Sequence, residues 1–226
     1  MAGDFDWRVS VDFLELLDED LRSRIVKGAR RISQQAGVVL EYPASGLRAD
    51  IIESGLVRGY QVSEDGRQAT VAYLYSREYL GGLPAVVPRP VVYAQHITKS
   101  TLLRLDADNL RNLFETDVGF ARAIAIHTAS LLAGVVRVVT VRTLGTIRQR
   151  IAFDLLQRLT DEQIRSGELE FVLTQEELAD AIGSVREVVS GHIGDLRRAG
   201  IVSTARRRIR IDDPERLATI LRGLMT

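Results

Sequence analysis

The sequence predicts an α+β fold with a β-rich N-terminal region, a long central helix and a C-terminal winged helix-turn-helix. Three observations carry that prediction. Residues 37–105 break into short runs rich in Val, Ile, Tyr and Leu, punctuated by Gly37, Gly46, Gly55, Gly66 and Gly81. Several short strands at near-even spacing indicate a small barrel or sandwich. After Asp106 the apolar residues recur every three or four positions over a long stretch, which is helical spacing. Residues 173–202, LTQEELADAIGSVREVVSGHIGDLRRAGIV, hold two short helical patterns broken by a single glycine, with a run of arginines just behind them.

In chain order, residues 11–35 are predicted helical, with Phe13, Leu14, Leu16, Leu17, Leu21 and Ile25 forming an amphipathic stripe. The clearest β stretch is SGLVRGYQVSEDGRQATVAYLY, two strand patterns joined by the turn SEDGR. Phe120, Ile124, His127, Leu131, Val135 and Val138 then form a coiled-coil-like seam, which predicts one long helix whose partner is its twin in a homodimer. Within it, VVRVVTV is rich in β-branched residues and also reads as a buried strand; the unbroken seam favours helix. The helix is expected to end at Leu144 and Gly145, and Thr146 with Gln149 forms a capping box that opens the next helix. A glycine directly before a cap is a natural hinge. The predicted divisions are therefore 1–115 for the β domain with its N-terminal helix, 116–144 for the dimerisation helix and hinge, and 145–226 for the winged helix-turn-helix.

Within that last division Thr174 and Glu177 form one capping box, and Ser184 and Glu187 are expected to form another. Gly183 closes the helix between them in the left-handed conformation. Leu178, Ala179, Ala181 and Ile182 supply an apolar face on the first helix, and Val185, Val188, Val189, Ile193 and Leu196 one on the second. The two helices must therefore cross in contact, the second being placed to enter a major groove. GIVSTARRRIRIDD reads as a two-stranded hairpin with Arg206, Arg207 and Arg208 at its tip. From Ser184 to Arg210 the arginines at 186, 197, 198, 206, 207, 208 and 210 face only Glu187 and Asp195, in a chain of zero formal net charge. That local excess is the footprint of nucleic-acid binding.

The chain has no cysteine, which excludes disulfides, a thiolate nucleophile and a cysteine-ligated iron–sulfur cluster. No nucleophile and base stand at motif spacing and no metal-ligand cluster is evident, so an enzyme is not expected. The N-terminus lacks a signal-peptide pattern and no apolar run is expected to reach a membrane span. The reading is a soluble, cytoplasmic protein.

The order of elements, with SGLVRGYQVSEDGRQATV in the β region, QRIAFDLL after the hinge and LTQEELADAIGSVREVVS in the helix pair, resembles the bacterial transcription regulators of the cyclic AMP receptor and fumarate-nitrate regulator (Crp/Fnr) family. The resemblance covers nearly the whole chain. It implies a β-roll sensor domain of the cyclic-nucleotide-binding type, a homodimer, double-stranded DNA with an inverted-repeat operator as target, and RNA polymerase as a partner. Arg186 and Glu187 match the Arg-Glu pair after the family's turn, whereas Gly191 after Ser190 stands where the family usually has arginine. The implied DNA-facing set is Thr174, Gln175, Ser184, Arg186, Glu187, Ser190, His192, Arg206, Arg207 and Arg208.

The implied effector pocket consists of Gly81, Gly82, Leu83, Arg89, Val135 and Val136. Nucleotide binders of the family carry Gly-Glu for the ribose and Arg-Ser for the cyclic phosphate; this sequence has Gly81-Gly82 and Pro90-Val91, with Arg89 next door as the one displaced cation. Val135 and Val136 replace the family's Thr-Ser on the long helix. A buried phosphate requires a cation or a nest of donors, so cyclic-nucleotide control is not expected, and the pocket is read as apolar or ligand-independent. Haem would need an axial ligand, and the candidates are His96, read as a surface or rim residue, His127 in the seam, and His192 on the second helix of the pair. No cofactor is expected. The alternative is a haem- or small-molecule-binding sensor module whose helix-turn-helix is only a scaffold.

Overall fold

The computed structural model describes residues 8–43, 48–81 and 91–224. Gly82, Leu83, Arg89 and Pro90 lie outside these. The chain forms two compact units, one of Val9–Gln61 and Val71–Gly134, the other containing Val62–Thr70 and Val135–Thr226.

The predicted helix over 11–35 is instead three elements. A 3-10 turn spans Leu14–Leu16, helix α1 spans Glu19–Gly28, and strand β1 spans Arg30–Gln34. Asp18 caps α1, its Oδ1 accepting from the Leu21 amide at 2.8 Å. The apolar stripe is nonetheless buried at Phe13, Leu14, Leu17, Leu21 and Ile25. Past Gly28 the chain pairs antiparallel with β8 (Ser100–Arg104), in register from Arg30↔Arg104 to Gln34↔Ser100. A partner so distant along the chain leaves no trace in local periodicity.

The β region is a roll of two four-stranded sheets. With β2 Val39–Tyr42, β3 Ala49–Ser54, β4 Val57–Val62, β5 Gln68–Leu74, β6 Tyr79–Gly81 and β7 Val92–His96, the orders are β1-β8-β3-β6 and β2-β7-β4-β5. Alternation sorts the side chains into two cores, because successive strand residues point to opposite faces. Ile52, Leu80 and Leu102 join Tyr42, Val57, Ala72, Leu74 and Ala94 in one. Ile51, Tyr79 and Leu103 face the other way, onto Phe13, Leu21, Ile25, Leu110, Leu113, Phe120 and Ile124.

Helix α2 (Ala107–Thr116) leads into α3, one unbroken helix over Val118–Leu144, so VVRVVTV is helical. Its faces differ from the expected seam. Phe120, Ile124, His127 and Val138 are all buried within the chain, with Phe120 and Ile124 in the core beside the roll and Val138 in that of the C-terminal unit. The solvent side instead shows Leu131, Leu132, Val136 and Val139, the last three 61%, 55% and 55% exposed, while Val135 is half-buried. Both sides of the helix are apolar, so periodicity alone could not say which faces inward. For the same reason α3 is, against expectation, long and apolar enough to cross a membrane.

In the C-terminal unit, α4 (Ile147–Gln157), α5 (Asp161–Ser166), α6 (Gln175–Ile182), α7 (Arg186–Arg198) and α8 (Pro214–Thr219) accompany a sheet of order β10-β11-β9, from Val202–Ala205, Arg208–Ile211 and Glu170–Val172. Strand β9, unanticipated and only three residues long, pairs Phe171 with Ile209. The core runs from Val138 and Val141 of α3 through Ile151, Leu155 and Leu156 to Leu178, Ile193 and Leu196. The last turns of α3 thus belong to this core, and the two units divide at Gly134 and Val135. The Thr146–Gln149 box that opens α4 forms as predicted.

Candidate nucleic-acid interface and roll interior

The helix pair is built from local signals. Thr174 Oγ1 accepts from the Glu177 amide at 3.1 Å, and a Glu177 carboxylate oxygen accepts from the Thr174 amide at 2.7 Å. Thr174 also donates its hydroxyl to Glu177 at 2.8 Å, so it serves the cap. Gly183 ends α6 at φ 66° and ψ 52°, left-handed values that favour glycine. Leu178, Ala179, Ala181 and Ile182 are buried beside Val189, Ile193 and Leu196. The expected Ser184–Glu187 box does not form: Val185 is the N-cap, extended and without a side-chain capping bond. The first turn of α7 begins one residue later than the box requires, so Ser184 stands outside the capping position and its hydroxyl does not serve the first-turn amides.

Arg186, Glu187 and Ser190 are exposed, while Gln175, Ser184 and His192 are half-buried. Val185 and Val188, expected in the helix-crossing face, are instead 58% and 42% exposed. They flank Arg186 and Glu187, and the packing of the pair is complete without them.

The hairpin forms with Val202↔Ile211 and Ala205↔Arg208 in register. Arg206 and Arg207 make its two-residue turn, with Arg207 at φ 57°. The wing arginines are not equivalent. Arg208 Nη1 is 2.6 Å from Glu170 Oε1 and Arg210 Nε is 3.5 Å from Asp212 Oδ1, whereas Arg206 and Arg207 have no ion pair among the described residues. The cations offered to an anion are therefore the two at the turn.

In the roll, Gly81 is required by packing. At φ 133° an added Cβ would stand 2.2 Å from the Arg48 carbonyl oxygen, on the strand pair where Ala49 faces Gly81. Beside it lies a polar group that the motif comparison missed. Asp50 is fully buried. Its carboxylate accepts from Arg104 Nε at 2.8 Å and Nη2 at 3.1 Å, and from the Tyr42 hydroxyl. Arg48 Nε stands 3.6 Å from the same carboxylate, and its guanidinium lies 4.9 Å over the Tyr42 ring. Burial, and then the Asp50 charge, push the Tyr42 hydroxyl pKa well up, so it remains a donor. The signal was available in ADIIES: an acid at an inward strand position, two before buried Ile52, demands a partner, and Arg104 faces it across the register.

His96 is not a rim residue. It is fully buried in this interior, and neither ring nitrogen has a hydrogen-bond partner among the described residues. Burial pushes its pKa down, and the Asp50 charge partly opposes this. His127 sits edge-on against the Phe13 and Tyr79 rings at 5.9 and 5.8 Å, and burial lowers its pKa to about 4. It is thus a neutral core residue. The three histidines occupy β7, α3 and α7, and no group of three potential metal ligands occurs among the described residues.

The sequence matches the family description of a Crp-like helix-turn-helix domain over residues 149–220 and that of a cyclic nucleotide-binding domain over residues 43–117. It is 31% identical over 166 residues to the transcriptional regulator LdrP of Thermus thermophilus, covering 72% of this chain and 81% of that protein. It is 26% identical over 178 residues to a CRP-like cAMP-activated global transcriptional regulator of Mycobacterium tuberculosis, covering 76% and 79%. The fold is similar to the crystal structure of a CRP/FNR-family transcriptional regulator from Thermus thermophilus, with a TM-score of 0.63 and 26% identity over 84% of this chain and 97% of that one.

Proposed function

The chain belongs to the Crp/Fnr family of transcription regulators, and from that membership we propose that it binds an inverted-repeat operator as a homodimer and without cyclic-nucleotide control. Regulators of this family are soluble proteins that bind DNA and act as dimers. The observation that carries the DNA reading is the placement of exposed Arg186 and Glu187 at the start of α7, where recognition helices address base edges. Arg186 is suited to the guanine edge and Glu187 to a cytosine amino group. Arg206 and Arg207 hold phosphates and set register without reading sequence. RNA polymerase is the partner through which such a regulator acts, and the cytoplasm is where it meets its DNA. Selection of binding sites from random duplexes tests the reading: an inverted repeat with half-sites about 10 bp apart is expected, and failure to enrich any sequence rejects it.

Dimerisation rests on the apolar stripe of Leu132, Val136 and Val139, with Leu131 at its edge. Their spacing of four and three residues keeps them on one side of α3. Val136→Glu places two like charges in that contact, at a cost of several kcal/mol, and should yield a monomer by sedimentation equilibrium. Retained dimer mass would remove α3 from the interface.

The sensor reading is supported by what stands at the nucleotide-binding positions. Gly81 serves strand packing, and Gly82, Pro90, Val91, Val135 and Val136 offer neither carboxylate, cation nor hydroxyl. Calorimetry with cyclic AMP should show no saturable binding. Micromolar binding abolished by Arg89→Ala would overturn the reading and make Arg89 the phosphate ligand.

A further inference from the structure

Helix α7 and its N-cap carry five large apolar residues, and the fold buries three. Val189, Ile193 and Leu196 are at most 2% exposed, while Val185 and Val188 stand open at 58% and 42%. β-Branched residues are indifferent helix formers, and the described residues bury neither of these two. They recur three residues apart, so they share one side of the helix, and that side continues to Gly191. Beyond the backbone of its own helix, a Cβ built on Gly191 meets no atom of the described residues within 4 Å. Glycine is, after proline, the weakest helix former, so neither helix stability nor packing in the free protein accounts for it. One flank of α7 therefore offers two methyl-bearing side chains beside the Arg186–Glu187 pair, followed by bare backbone.

The apolar feature of the major groove is the thymine C5-methyl group. We propose that Val185 and Val188 are specificity-determining residues that contact thymine methyl groups in each half-site, and that Gly191 lets the helix approach the groove more closely than a side chain would allow. This rests on the DNA-binding reading of α7.

The test uses the full-length protein and its selected operator. Each thymine is replaced by deoxyuridine, which removes only the methyl group. For the wild-type protein, one or two positions per half-site should each lose about threefold to fourfold in affinity, the factor that burial of a single methyl group gives. Val188→Ala or Val185→Ala should bind the unmodified operator more weakly and lose its own share of that discrimination. Both side chains are exposed, so the variants should melt with the parent. Gly191→Ala should fold at least as stably and bind less tightly. A wild-type protein indifferent to deoxyuridine at every thymine would overturn the thymine assignment while leaving DNA binding intact. Equal penalties in the wild-type protein and both valine variants would also overturn it. Unchanged affinity in Gly191→Ala would overturn the close approach. Failure to select any operator would instead reject the premise.

Discussion

The β-roll and the winged helix-turn-helix handle charge in opposite ways. The winged unit keeps an almost wholly apolar core, with Arg158 Nε buried against Asp154 Oδ2 at 2.7 Å as its one fully buried ion pair among the described residues, and turns Arg186, Arg206 and Arg207 to the outside. The roll buries Asp50 completely, braces it with Arg104, Arg48 and Tyr42, and encloses His96 and His127. A DNA-binding unit needs its cations in solvent, where phosphates can reach them and counterions can leave. A roll that buries a carboxylate and two imidazoles beside its apolar cores depends on their protonation and on the partners of Asp50, and this makes it the more sensitive of the two to acid.

The largest expected effect follows from breaking that match. Asp50→Ala leaves the half-buried guanidiniums of Arg104 and Arg48 without their shared counter-charge, and removing one partner of a buried pair costs up to about 3–5 kcal/mol. Urea unfolding followed by circular dichroism should show the loss. A change under 1 kcal/mol would mean that the cluster is hydrated and that the contrast between the units is overstated.

Acid should expose the same asymmetry. An unfolded histidine takes a proton near pH 6.5, and His127 in the folded protein does so only at about 4. Between these values only the unfolded chain gains the proton, so stability present above pH 6.5 is lost progressively as pH falls towards 4, by about 3 kcal/mol for a shift of this size. His96, also depressed, adds in the same direction. His127→Phe should flatten the stability profile in that window; an unchanged slope would exclude His127 as its source.

On the winged side the effects are smaller and concern binding. Arg186→Ala should cost about 1–3 kcal/mol and relax specificity at one base pair per half-site. An unchanged ratio of operator to random-DNA affinity would remove Arg186 from readout. Arg207→Ala should weaken all sequences alike and lower the salt slope by about one. Arg208→Ala should do less, because Glu170 already holds that guanidinium. Equal effects of the two would mean that the Arg208–Glu170 pair opens on DNA.

The functional half of this protein was the easier to read, and the reason is range. The Thr174–Glu177 cap, the left-handed Gly183 and the hairpin turn at Arg206 and Arg207 are each contained in a few consecutive residues, so composition and spacing were enough to place Arg186 and Glu187 at the head of a helix. Even there, local signals overreached. Ser184 and Glu187 have the spacing of a box, but α7 starts at Arg186. Val185 and Val188 read as core because five apolar residues crowd one short helix, and only packing against α6 selects three of them.

By itself the sequence determined the order of the three main parts, the family, the helix pair with its Thr174–Glu177 cap and the excess of cations around it, because these follow from backbone propensities and from side chains acting on their immediate neighbours. Tertiary structure decided the rest. It turned residues 30–34 into a strand by offering β8 as a partner, and it chose which apolar side of α3 faces inward. It also left Arg206 and Arg207 open while pairing Arg208. Asp50 became the centre of a buried charge cluster by the same route. Each of these depends on a residue far along the chain, since the cost of burying a charge or exposing a valine is set by what the fold brings alongside it.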